Sequence, residues 1–277
     1  MDNLSTRSTW VWSLTISGLV TAASLWGLLG ESPYDEETAS WAIQGRGQDV
    51  GNLLAVVILL LSGYRHQHGS HRAGVVWLGT LLYLVYAYVV YAMAVHFNQL
   101  FLVYVAVLGL SSYAVMLSMT RLRKVDETFA APADRTFAAY TCIGIGVLFG
   151  ALWLSELVPA TVTDEVPPSV ADAGLWVNPI HVIDLAILLP AMVLAGRLAL
   201  RGNAAGEFLL GPLLVFSVLM GSSIVAATVL MAAAGHQGAL APMAMVSAVV
   251  VVSAAAAWRY LRRYDAPQPA VLSSRRR

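Results

Sequence analysis

Residues 178–193 read NPIHVIDLAILLPAMV, and residues 45–61 read GRGQDVGNLLAVVILLL. Each stretch passes within a few residues from polar groups into an apolar run. In the first, Asn178, His181 and Asp184 step by three, which puts them on one stripe of a helix. Pro179 suits the first helical position, where its missing N–H costs nothing, and Asn178 suits the N-cap before it. In the second, Arg46, Asp49 and Asn52 repeat the step of three. Trp41 precedes Asp49 by eight residues, and Trp176 precedes Asp184 by the same interval. Two matching openings of this kind point to a chain that crosses a membrane in two related halves.

The composition agrees with a membrane protein. Of the 277 residues, 58% are hydrophobic and 12% charged, where soluble domains carry about a quarter charged residues. Mean hydropathy is +0.70. A bilayer-crossing helix needs roughly 20 mostly apolar residues. Eight stretches qualify, near 10–30, 49–64, 73–95, 98–119, 136–158, 179–200, 207–234 and 240–261. The first lacks an A-x-A-like cleavage site and is expected to be a retained span. The expected fold is therefore an all-α integral membrane protein of eight spans.

An even number of spans puts both termini on one side. Of the 16 Lys and Arg residues, every one except Arg46 falls in a terminus or loop on that side. The opposite loops hold Glu31, Asp35, Glu36, Glu37, Asp164, Glu165 and Asp172. The positive-inside rule then places both termini in the cytoplasm. Net charge is zero, so nothing suggests a nucleic-acid partner. The lone cysteine, Cys142, sits in an apolar run and offers no disulfide.

Further landmarks recur in order. SLWGLLGESP (24–33) and ALWLSELVP (151–159) both run Leu-Trp, Glu, Pro at the end of a span. His96 and His236 stand at equivalent turns. Two tandem four-helix units follow, 9–119 and 136–261, joined by a charged linker at 120–135 and closed by a basic tail at 262–277. Four spans each makes them parallel repeats, and a twofold axis along the membrane normal would bring Asp49 and Asp184 to matching depths.

Acidic side chains inside spans are rare and face the bundle interior or a wet cavity. The expected pocket opens on the acidic side and is built from Arg46, Asp49, Asn52, His181 and Asp184, with Glu156 close enough to join. Arg46–Asp49 and His181–Asp184 each allow an ion pair at i to i+3. The alternative is a pair of capped, salt-bridged helix openings at headgroup level. Tyr83, Tyr86, Tyr88 and Tyr91 lie too deep for an interfacial belt, and their hydroxyls need partners; Tyr83, Tyr86 and Tyr91 are candidate pocket lining. His96, His181 and His236 are weak metal-ligand candidates, since none is spaced to bind locally. RHQHGSHR (65–72) reads as a basic loop facing headgroups. GVLFG (146–150) has the G-x-x-x-G spacing of close helix contacts.

The sequence holds no P-loop, dinucleotide fingerprint, G-x-S-x-G or H-E-x-x-H, and no lysine within a span for a retinal Schiff base. GQDVGNLLAVVILLLSG (47–63), WLGTLLYLVYAYVVYAM (77–93), FNQLFLVYVAVLGLSSYAV (97–115) and NPIHVIDLAILLPAMV resemble runs in bacterial multi-pass inner-membrane proteins without an assigned activity. The resemblance implies a location, the bacterial inner membrane, and brings no activity, cofactor or site with it. Three functions stay open. The chain is a carrier or channel-like protein for a proton, cation or small solute; or a membrane enzyme built around a metal, haem or quinone; or a non-catalytic assembly component. Acids without a nucleophile or ligand set favour the first over chemistry. Oligomeric state is not legible.

Overall fold

The computed structural model describes residues 3–30, 32–124, 132–235 and 240–262. All regular structure among them is helical. The helices are α1 (Asn3–Leu29), α2 (Ala39–Gln67), α3 (His71–Ala94), α4 (Phe101–Lys124), α5 (Pro132–Thr163) and a short α6 (Pro168–Ala173). Then α7 (Pro179–Ile183), a π-helical turn (Asp184–Leu188) and α8 (Leu189–Leu200) form one continuous span, followed by α9 (Ala204–Ala233) and α10 (Leu240–Leu261). Eight of these units are long and apolar enough to cross a membrane, so the chain is a multi-pass membrane protein.

The helix starts follow capping chemistry. The side chain of Asn178 accepts the Ile180 N–H at 3.0 Å, and Pro179 occupies the first helical position. Thr38, Ser70 and Asn203 cap α2, α3 and α9 in the same way. Two boundaries differ from expectation. Helix α2 begins at Ala39 rather than near 49, because Gln44, Arg46, Gln48 and Asp49 lower the local hydropathy without breaking the helix. Asp49 is therefore no opening residue, and lies about 15 Å along its helix at 1.5 Å per residue. The charged linker also shrinks, since α4 runs to Lys124 and α5 starts at Pro132.

Packing forms two rings. Helix α1 lies on α2, α2 on α3, α3 on α4, and α4 on α1. In the same order α5 lies on α8, α8 on α9, α9 on α10, and α10 on α5. The rings meet where α9 sits against α2 and α3. That seam is tight because α2 presents Gly47 and Gly51, whose missing Cβ atoms would overlap Ala227 and Ser223 of α9. The expected G-x-x-x-G at 146–150 is only half used. Gly146 packs on the Leu189 carbonyl, but Gly150 has nothing within 4 Å.

Around the outside, Val11, Leu102, Met116, Val147 and Val251 are exposed, as suits side chains that meet lipid. The two ends of the bundle are fastened differently. At the arginine-rich end Asp134 lies 2.8 Å from Arg259 and 3.3 Å from Arg262, and Glu207 lies 2.6 Å from Arg135. At the acidic end the Trp41 indole N–H donates to the Ala94 carbonyl at 2.7 Å.

Candidate functional site

The seam between the rings opens into a cavity of about 270 Å³. It draws its wall from α2, α3, α5, α9, α10 and the α7–α8 span. Trp41, Val95 and Met231 carry the cavity to the acidic end, while Met192 and Ser217 place its floor near mid-span. The wall is mostly apolar, and Asp184 is its one formally charged residue among the described residues.

Asp184 is buried at 6% exposure. Its Oδ1 accepts from the Tyr86 hydroxyl at 3.0 Å, and its Oδ2 from the Trp153 indole N–H at 2.8 Å. Both donors are neutral. The local cause of its position is Pro190, which has no N–H for the carbonyl four residues back and whose ring would clash with it. The helix instead widens to a π turn, with the Leu189 N–H donating to the Asp184 carbonyl.

Asp49, at 2% exposure, is held in a parallel manner. Its Oδ2 accepts from the Tyr34 hydroxyl at 2.6 Å and its Oδ1 from the Tyr91 hydroxyl at 2.9 Å. Tyr34 and Tyr91 line the cavity, and Asp49 sits behind them. Tyr34 lies in a short loop helix (Ser32–Tyr34) outside the spans. Burial first, and then the adjacent Asp49 carboxylate, push its phenol well above the ordinary tyrosine range, so it remains a donor. Helix α3 thus supplies one hydroxyl to each acid, Tyr91 to Asp49 and Tyr86 to Asp184.

Family models, curated proteins and solved structures offer no match to this chain. The chemistry of the site therefore rests on the residues themselves.

Neither expected ion pair forms. Arg46 is on an exposed face of α2 and makes no ion pair with Asp49, whose two carboxylate oxygens accept instead from the phenols of Tyr34 and Tyr91. His181 is buried against the Trp153 ring at 4.7 Å, and its Nε2 has no hydrogen-bond partner. It touches Trp153, which in turn donates to Asp184, and makes no direct bond with that acid. Glu156 accepts the Ser169 backbone N–H at 2.8 Å, which ties α5 to α6 instead of joining the cavity wall. His96 pairs with Glu37 at 3.1 Å in the acidic-end loops. His236 lies outside the described residues. Among the described residues no three His, Cys, Asp or Glu side chains converge to hold a metal.

Asn52 and Tyr83 belong to a network behind the wall. The Tyr83 hydroxyl donates to Asn52 Oδ1 at 3.1 Å and accepts from Gln48 Nε2 at 2.6 Å. Ser223 on α9 reaches Gln48 Oε1 at 3.1 Å, so Gln48 joins three helices. Gln48, Tyr34 and Trp153 were not singled out from sequence. Gln44, Gln48 and Asn52, spaced by four, form a polar stripe that could have revealed the first. Trp153 is marked only as the Trp of the recurring Leu-Trp landmark and Tyr34 not at all, because each acts on an acid in another helix.

Proposed function

We propose that the protein is a carrier that takes a small solute, proton or cation into the cavity between its two halves from the acidic side. The observation that carries the reading is Asp184, a buried carboxylate in an apolar wall, held only by neutral donors. An unpaired charge in low dielectric is costly, so the site gains whenever a proton or cation neutralises it. Asp49, screened by Tyr34 and Tyr91, stands as a second such acid one layer behind. The matching neighbour order of the two rings supports two parallel four-helix repeats, and the basic-residue asymmetry supports cytoplasmic termini. A cavity at the interface of repeats is where alternating-access carriers bind their cargo.

The test uses Ser217→Cys in a Cys142→Ala background. Ser217 lines the floor, and its hydroxyl bonds only its own helix, to the Leu213 carbonyl at 2.8 Å. A membrane-impermeant thiol reagent should label it from the acidic side in right-side-out vesicles, and from the other side in a separate state of inverted vesicles. Labelling from neither side, with the protein folded, would remove the carrier reading. Simultaneous access from both sides would make it a channel.

A further inference from the structure

Resting on that carrier reading, we propose that the cavity takes a small amphipathic organic cation, a single ammonium-type head on an apolar body. Four features of the wall select this class.

The first is charge. Among the described residues the wall carries no Lys, Arg or His, and its one charged group is Asp184. Tyr86 and Trp153 donate to it without cancelling that charge, and a carboxylate can accept further bonds at each oxygen. The second is the shape of the surroundings. Tyr34, Trp41, Tyr86, Tyr91, Phe149, Trp153 and Phe216 bring seven aromatic residues to one small cavity. Aromatic faces attract cations, and clusters of them recognise quaternary ammonium heads. Aliphatic wall residues such as Leu188 and Met192 offer the rest of the ligand an apolar bed.

The third feature disfavours a bare metal ion. Hard cations demand many oxygen ligands, six or more for calcium. Ser217 and Thr228 in this wall turn their hydroxyls to their own backbones, at 2.8 and 2.9 Å. Gln48 is engaged by Tyr83 and Ser223. The side-chain oxygens left over are chiefly those of Asp184 and Gln44, too few to replace a hydration shell. The fourth is the end of the bundle. Asp35, Glu36, Glu37, Asp164 and Glu165 in the loops, and Asp172 in the short α6, all lie at the acidic end that the cavity reaches. Acidic loops around a low-dielectric opening concentrate cations and repel anions.

The experiment compares two probes of one shape and opposite charge, benzyltrimethylammonium and benzylsulfonate. Binding to the purified full-length protein is read by equilibrium dialysis in detergent, with empty micelles as the reference. The cation should bind saturably and the sulfonate should not. Asp184→Asn should weaken the cation by roughly thirtyfold and level the two probes. Phe216→Leu, which keeps the carboxylate and both of its donor side chains, should weaken the cation by about tenfold. Equal or stronger binding of the sulfonate overturns the proposal, as does an Asp184→Asn protein that binds the cation undiminished. No binding of either probe, with Ser217→Cys still labelled from alternate sides, overturns the ligand class and leaves the carrier standing. Loss of that labelling as well removes both.

Discussion

At the scale of single residues, the two acids show how a carboxylate is kept inside a bundle without a cation beside it. Each takes two neutral ring donors, and each pair of donors comes from two different segments of the chain. Asp49 needs one thing more, which is room. Gly27 of α1 lies directly against its Oδ2 and the Tyr34 hydroxyl, and a Cβ there would collide with both. Gly18 of the same helix faces open space with nothing within 4 Å. The two glycines should therefore respond oppositely to alanine. Gly18→Ala should stabilise by up to about 1 kcal/mol through helix propensity. Gly27→Ala should destabilise by about 1–3 kcal/mol through overpacking, and should disturb the Tyr34–Asp49 bond. Melting of the purified variants in detergent checks both signs, and a neutral Gly27→Ala would mean that the carboxylate has space to spare.

At the scale of elements, the informative case is the span from Pro179 to Leu200. Its start was legible, because capping is a local matter and Asn178-Pro179 carries the whole signal. Its interior was not. Pro190 announces a perturbation, but whether the helix kinks, breaks or widens depends on what receives the displaced groups. Here it widens, and Asp184 is delivered to Tyr86 of α3 and Trp153 of α5. The same limit explains Arg46 and His181. Spacing at i to i+3 is compatible with an ion pair, yet donors from other helices took both acids. It also explains α2, whose polar first turns look too hydrophilic for a span when judged by hydropathy alone. Of those residues Gln44 and Gln48 face the cavity and Asp49 is buried behind its wall, while Arg46 alone stays exposed. Pro190→Ala should allow the π turn to close to ordinary α-helix, which rotates Asp184 by about 100° relative to α8. Melting should hold or rise, since a proline inside a helix costs about 3 kcal/mol. Under the organic-cation proposal, benzyltrimethylammonium binding should fall by roughly tenfold, equivalent to about 1.4 kcal/mol. Unchanged binding would separate the π turn from the site.

At the scale of the whole molecule, a net charge of zero hides a strong segregation. Basic groups gather at one end, where Arg135, Arg259 and Arg262 tie α5, α9 and α10 through Glu207 and Asp134. Acidic groups gather at the other, the end that the cavity reaches. Eight spans and this asymmetry follow from hydropathy and charge, which are summed along the chain and need no tertiary information. The cavity arises from the convergence of helices far apart in sequence, so composition could not reveal it. The segregation has a topological consequence. Moving the arginine-rich end across the bilayer during insertion would be opposed by many charges, whereas the acidic loops contribute little to orientation. In a Cys142→Ala background, Thr163→Cys at the acidic end should react with an impermeant maleimide in intact cells. His68→Cys, in the turn between α2 and α3, should react only after the membrane is opened. Both side chains are exposed, so failure to label reports topology and not burial. The reverse pattern would invert the protein, turn the acidic end of the cavity toward the cytoplasm, and make the proposed cation a cargo collected from inside the cell.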